Sequence, residues 1–73
     1  MPKLRVHSGR EVCKILAQNN FVEVRQKGSH IILRRGYPYA RVVVPDHKQV
    51  RPGTLRQILN EAGITVEQLL ELR

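Results

Sequence analysis

Three consecutive segments in the middle of the chain have the composition of β-strands and are separated only by short turns. They are rich in Val, Ile, Phe and Tyr, the residue types that pack best on a pleated surface. The segments are residues 21–26, 30–35 and 39–44, with turns at Lys27-Gly28-Ser29 and Gly36-Tyr37-Pro38. Strands joined by connections this short pair antiparallel with their sequence neighbours. The middle of the chain therefore predicts a three-stranded antiparallel meander.

An amphipathic helix is predicted before these strands. Ser8 and Glu11 have the S-x-x-E spacing of a capping box, which favours a helix start. Apolar residues then follow at i, i+3 and i+4, and Cys13 beside them is expected to pack as a small hydrophobe. We expect this helix to end at Asn19-Asn20, and its apolar stripe is Val12, Ile15 and Leu16. Residues 1–7 are polar and are expected to be frayed or extended.

Two further helices are predicted after the strands. Pro52 and Gly53 follow a polar, basic loop and mark the start of the first, and Gly63 is a natural C-cap for it. Thr65 and Gln68 form a second capping box, which opens a short last helix. The apolar stripes of the two helices are Leu55, Ile58 and Leu59, then Val66, Leu69 and Leu70.

The α-β-β-β-α order, with a final short helix, predicts an α+β domain. A three-stranded antiparallel sheet would carry helices on one face and leave the other face free to bind. The chain has 73 residues, so we expect one domain over residues 1–73 with a thin, mostly aliphatic core.

Composition excludes several classes of protein. The longest apolar runs have three residues, so no membrane span is expected, and residues 1–20 lack the apolar region of a signal peptide. Cys13 is the one cysteine, which excludes an internal disulfide and a Cys-rich zinc site. The three histidines have no metal-ligand spacing, so no metal or other cofactor is expected. A cytoplasmic protein is the plain expectation.

The positive charge is concentrated in the first two thirds of the chain. Thirteen Lys and Arg oppose six Asp and Glu, for a net charge of +7. Residues 1–51 include eleven basic and three acidic residues, whereas residues 52–73 include two basic and three acidic residues. Such a field attracts phosphate-rich partners by counterion release, which favours nucleic acid over a basic surface that serves solubility alone.

His30 is the candidate catalytic residue, because histidine can both take and give a proton near neutral pH. It follows a turn in which Gly28 permits close approach and Lys27 supplies charge, a plausible place for a scissile phosphate. An ordinary strand histidine is the competing interpretation. His47, in the basic loop, would contact a phosphate or be simply solvated, and His7 has no predicted role.

Two-metal nuclease chemistry needs a cluster of carboxylates, and Asp46 is the only aspartate. Any RNA cleavage should therefore be metal-independent and use the 2′-OH of the substrate. Tyr37 and Tyr39 would either stack on a base or protect the hairpin between the second and third strands. The residues expected to contact RNA around the turn, the basic loop and the next helix are Lys27, Gly28, Ser29, His47, Lys48, Arg51, Thr54 and Arg56.

Three segments resemble the HicA toxin family. Residues 24–30, Val-Arg-Gln-Lys-Gly-Ser-His, are similar to its R-Q-x-G-S-H segment, and residues 43–47, Val-Val-Pro-Asp-His, to its V-P-x-H segment. Residues 52–63 resemble its G-T-L-R-x-I-L-x-x-A-G helix. The three occur in the family's order and spacing, and the likeness covers residues 8–73.

This resemblance implies a function. HicA toxins are small mRNA interferases of type II toxin–antitoxin systems with a fold like the double-stranded-RNA-binding domain. The catalytic histidine of the G-S-H segment corresponds to His30, and a HicB antitoxin would cover that site. The implied partners are mRNA and a HicB-type antitoxin, with no membrane and no small-molecule cofactor. The alternatives are a non-catalytic module for double-stranded RNA and an inactive toxin relic.

Overall fold

The computed structural model describes residues 6–71 and has the predicted order of elements. The elements are α1 (Gly9–Gln18), β1 (Val22–Lys27), β2 (His30–Arg35), β3 (Ala40–Pro45), α2 (Pro52–Ala62) and α3 (Val66–Glu71). The sequence placed β1 and β3 one residue too early. Phe21 lies outside β1 because its N–H donates to the Leu16 carbonyl, 3.1 Å away, and its ring is buried in the core.

Local capping determines where the helices begin and end. At α1 the Ser8 hydroxyl accepts from the Glu11 N–H (3.1 Å), and the Glu11 carboxylate accepts from the Ser8 N–H (2.8 Å). The Thr65–Gln68 pair repeats this arrangement at 3.1 and 2.8 Å before α3. Gly63 ends α2 with φ of 74°, a left-handed conformation that suits glycine. The predicted caps are therefore confirmed.

The sheet has the strand order β1-β2-β3 and is antiparallel throughout. Ile31 and Leu33 of β2, with Val42 and Val44 of β3, are buried beneath the helices. Alternation along β2 and β3 turns the intervening residues to the opposite side. In β1 a register shift between Glu23 and Arg25 interrupts the alternation, so the side of each residue follows from its cross-strand partner. We call this side the free face; its register positions are Val22, Arg25, Lys27, His30, Ile32, Arg34, Arg41, Val43 and Pro45. The fold class is as predicted.

His7 has a structural position that the sequence did not reveal. Its backbone forms an antiparallel bridge with Val50, whose N–H donates to the His7 carbonyl at 2.6 Å. The backbone of residue 7 is therefore extended, one of the two expected alternatives, and its side chain is buried, whereas residues 1–5 lie outside the described part. The bridge holds the loop after β3 against the start of the fold. No helix among the described residues is long and apolar enough to cross a membrane.

Cys13 should make stability depend on pH. The side chain packs in the core, as predicted, and burial raises the pKa of its thiol, with a smaller contribution from the Glu23 carboxylate. The unfolded chain then loses the thiol proton at lower pH than the folded protein. The free energy of unfolding should therefore fall as pH rises above the ordinary thiol value of about 8.5.

Urea unfolding of wild type and Cys13→Ala between pH 7 and pH 10 measures this effect. The difference in stability between the two proteins should narrow across that range, because only wild type carries the thiol. If the free energy of unfolding of the two proteins changes in parallel with pH, the thiol does not contribute to the pH dependence of stability.

Candidate functional site at the hairpin tip

The turn between β1 and β2 brings four of the predicted site residues together. Lys27 and His30 are direct cross-strand partners, with Gly28 and Ser29 as the two-residue loop between them. We call residues 27–30 the hairpin tip. Gly28 has φ of 59°, which fits the first position of a type II′ turn. A Cβ built there would meet nothing within 4 Å, so the space above the turn is open to a ligand.

The His30 side chain is exposed at the end of the free face. It lies between Lys27 on β1 and Pro45 on β3, its two cross-strand partners. Cross-strand side chains on one face are neighbours, so the Lys27 ammonium belongs to the surroundings of the imidazole. This arrangement can hold an anion and exchange a proton with it.

Backbone hydrogen bonds attach two further segments to the hairpin tip. The Asp46 N–H donates to the Ser29 carbonyl at 2.7 Å, which fixes the loop after β3 against the turn. The Gly9 N–H at the start of α1 donates to the His47 carbonyl at 2.8 Å. His47 therefore lies in a loop anchored to both the turn and α1, two residues beyond the partner of His30.

Gln26 is the centre of a side-chain network behind the hairpin tip. Its Oε1 accepts from Arg10 Nη2 (2.8 Å), while its Nε2 donates to the Gly28 carbonyl (3.1 Å) and to Asp46 Oδ2 (3.0 Å). Arg10 also pairs with Asp46 at 3.5 Å and with Glu23 at 3.4 Å. One carboxamide thus connects α1, the turn and the loop after β3.

This network was missed at the sequence level, because no local pattern indicates it. Gln26 pairs with Ile31, which places it on the helix side of the sheet, yet its side chain is exposed. Burial therefore does not require it to have hydrogen-bonding partners, and sequence alone does not identify them. The partners, Arg10 and Asp46, come from distant parts of the chain.

The remaining predicted contact residues form a second group. Lys48 is exposed in the loop, and Arg51, Thr54 and Arg56 are exposed around the first turn of α2. Arg51 is the N-cap of α2 and makes no side-chain capping hydrogen bond. The first turn of a helix offers backbone N–H groups without intrahelical partners, which can hold a phosphate.

The two tyrosines lie apart from the hairpin tip. Tyr37 and Tyr39 belong to the turn between β2 and β3, at the opposite end of β2 from His30. Six strand residues span about 17–20 Å, so the tyrosines cannot contact a group bound at His30. Both interpretations offered by the sequence, stacking on a base and protection of this turn, stay predictions for a place away from His30.

Gln26 should act as a positioning residue for the hairpin tip. Gln26→Leu keeps much of the volume but removes three hydrogen bonds, which frees the turn to move relative to His47. If the hairpin tip cleaves RNA, as the sequence resemblance implies, kcat should fall about tenfold while KM changes little, because small misplacements of reacting groups are costly.

The measurement is steady-state cleavage of a labelled RNA, with Gln57→Leu on the exposed side of α2 as the matched control. A purely structural role for Gln26 would lower the melting temperature and leave kcat of the folded protein unchanged.

The fold is a small α+β domain with the element order of the double-stranded-RNA-binding domain, and its site is a basic hairpin tip with an exposed histidine. The family model described as HicA toxin of bacterial toxin-antitoxin matches residues 9–64 of the 73. The chain belongs to the HicA toxin family. Comparison with curated proteins gives no match. The matched region spans every element from α1 to the end of α2, and so includes the whole candidate site.

Proposed function

We propose that the protein is an mRNA interferase: a metal-independent endoribonuclease that uses His30 and is neutralised by a HicB-type antitoxin. The observation that supports this most directly is the exposed His30 imidazole beside Lys27, at a turn with open space above Gly28. Membership of a toxin family gives such a site a cellular role. Cleavage of mRNA would take place in the cytoplasm.

The reaction needs two proton transfers and no cofactor. The 2′-oxygen of the substrate attacks the adjacent phosphorus, and the bond from phosphorus to the 5′-oxygen breaks. His30 either takes the proton from the 2′-OH or gives one to the departing 5′-oxygen. The products are a 2′,3′-cyclic phosphate and a 5′-hydroxyl. The second transfer falls to water or to His47, whose loop is anchored to the same turn.

Charge around the site would hold the RNA backbone. Lys27 stabilises the negative charge on the scissile phosphate, and Gly28 and Ser29 permit its approach. The second group would bind flanking phosphates: Lys48, Arg51, Thr54 and Arg56. General acid–base catalysis by one histidine contributes about 10²–10⁴-fold, which describes a modest enzyme. A toxin that cleaves many mRNAs does not need to be a fast enzyme.

The test is cleavage of a labelled RNA by the purified protein in excess EDTA. We expect discrete products with 2′,3′-cyclic phosphate and 5′-hydroxyl ends. A matched RNA with 2′-deoxyribose at the cleavage position should remain intact at that position while binding equally well. Cleavage that stops in EDTA, or that proceeds at the deoxy position, would contradict the mechanism.

A non-catalytic RNA-binding module is the second candidate, favoured by the α-β-β-β-α order. Such a module would bind double-stranded RNA by shape and 2′-OH contacts without cutting it. Binding without new RNA ends would support it. An inactive relic of a toxin would bind the antitoxin and leave growth unaffected.

A further inference from the structure

The free face carries an apolar groove at the end remote from His30. The groove has a volume of about 350 Å³ and is lined by Asn20, Val22, Val24, Arg34, Gly36 and Tyr39. Val22 is 67% exposed, Val24 52% and Tyr39 67%. We call it the valine groove. Exposed apolar side chains grouped in this way on a small domain mark a surface that binds something.

Two arginines beside the valine groove face each other across the sheet. Arg34 of β2 and Arg41 of β3 are direct cross-strand partners, and both are exposed. Like charges directly opposite one another destabilise a sheet. Within residues 6–71 no Asp or Glu occupies a register position on the free face. Carboxylates brought by a partner would relieve this repulsion.

The chemistry of the valine groove favours a protein over RNA. Val22 and Val24 offer no ring on which a base can stack, which leaves Tyr39 as the one ring of the lining. Tyr and Arg beside exposed apolar side chains are typical of protein interface hot spots. Residues 1–5 and 72–73 contain basic and no acidic side chains, so they do not complement Arg34 and Arg41. A second copy of the chain would place its own arginines against Arg34 and Arg41, and the like charges would repel. The complementary occupant is an acidic protein.

We propose that the valine groove, with Arg34 and Arg41, anchors an acidic partner protein that thereby covers His30. The inference rests on the proposed function, which supplies a HicB-type antitoxin as that partner. His30 and Arg34 are four residues apart on β2, about 13 Å at 3.3 Å per residue. A standard interface covers about 800 Å² of each partner, roughly 30 Å across. A protein seated in the groove therefore reaches the hairpin tip without any contact specific to the imidazole.

The experiment is isothermal titration of a purified HicB-type antitoxin into wild type, two groove variants and one control variant. Arg34→Glu/Arg41→Glu should weaken binding roughly 100-fold or more, and Tyr39→Ala about tenfold. The control, Lys14→Glu/Gln18→Glu/Gln57→Glu, changes the net charge by the same −4 on the exposed sides of the helices and should bind like wild type. RNA cleavage without antitoxin should be the same in the two charge variants, because neither alters the hairpin tip. Circular dichroism confirms that each variant is folded.

The possible results separate this inference from the proposed function. Loss of antitoxin binding with retained RNA cleavage supports the anchor. Equal antitoxin affinity for wild type and both groove variants overturns the proposed anchor but does not affect the proposed nuclease activity. Loss of RNA cleavage in folded Arg34→Glu/Arg41→Glu, but not in the control, would show that the free face binds RNA. This result also overturns the proposed anchor. Wild type that cleaves RNA but does not bind the antitoxin overturns the partner and, with it, the anchor.

Discussion

Replacement of His30 by alanine is expected to lower the rate constant for RNA cleavage about 10²–10⁴-fold, the contribution of one general acid–base group. The substitution removes the only titratable side chain of the hairpin tip other than Lys27. His30 is exposed and makes no core contact, so the variant should fold and melt like wild type. Binding of uncleaved RNA should change little, since the phosphate contacts remain. Single-turnover cleavage with labelled RNA measures the rate constant directly.

Two variants at the same site serve as controls. His47→Ala removes another exposed histidine from the attached loop and should have the smaller effect, because His47 has at most an assisting role. Lys27→Ala should weaken RNA binding more than it slows cleavage of bound RNA. If His30→Ala cleaves at the wild-type rate while His47→Ala does not, the catalytic assignment to His30 is wrong.

Gly9→Ala should have the largest effect on stability of any single methyl addition to a described glycine. A Cβ on Gly9 would overlap the Pro45 carbonyl oxygen and lie 3.1 Å from the Asp46 Cα. Both obstacles are backbone, so α1 and the loop after β3 must move apart, and the Gly9–His47 hydrogen bond is strained. Overpacking of this kind costs about 1–3 kcal/mol. The melting temperature should fall by roughly 5–20 °C in a domain of this size.

Gly53→Ala is the matched control, because Gly53 also lies in the first turn of a helix and a Cβ there meets nothing within 4 Å. It should raise stability by about 0.4–1 kcal/mol, since it removes freedom from the unfolded chain. The comparison uses thermal unfolding followed by circular dichroism. A Gly9→Ala protein that melts with wild type would show that α1 and the loop are not tightly packed. Gly9→Ala should also slow RNA cleavage, because the displaced loop carries His47.

The fold could be predicted from sequence where the determining interactions are local. Both capping boxes, the Gly63 C-cap and the bounds of β2 depend on residues within a few positions of one another, and these predictions are confirmed. Phe21 was misplaced because a long-range core position overrides its preference for a strand. The cation–π contact that covers its ring, with Arg35 4.7 Å from the ring centroid, joins residues fourteen positions apart. The His7–Val50 bridge was missed for the same reason.

The candidate site also has a part determined by local interactions and a part determined by long-range interactions. The hairpin tip is a local motif, so the proximity of Lys27 and His30 follows directly from a two-residue turn. The network of Gln26, Arg10 and Asp46 depends on how α1 packs beside the sheet, which no local pattern contains. The valine groove arises from strand register together with the turn after β2. Sequence suggested a free face, but only the register shows that Arg34 and Arg41 oppose each other on it.

The most direct test of the central claim is paired induction of wild type and His30→Ala in a bacterial host that lacks the antitoxin. Growth and new mRNA ends, mapped by primer extension, are followed together after both proteins are shown to be soluble and folded. We predict growth arrest and new RNA ends with wild type, and neither with His30→Ala. Equal growth arrest by both proteins without new RNA ends would contradict the account and identify a protein that is toxic by binding alone.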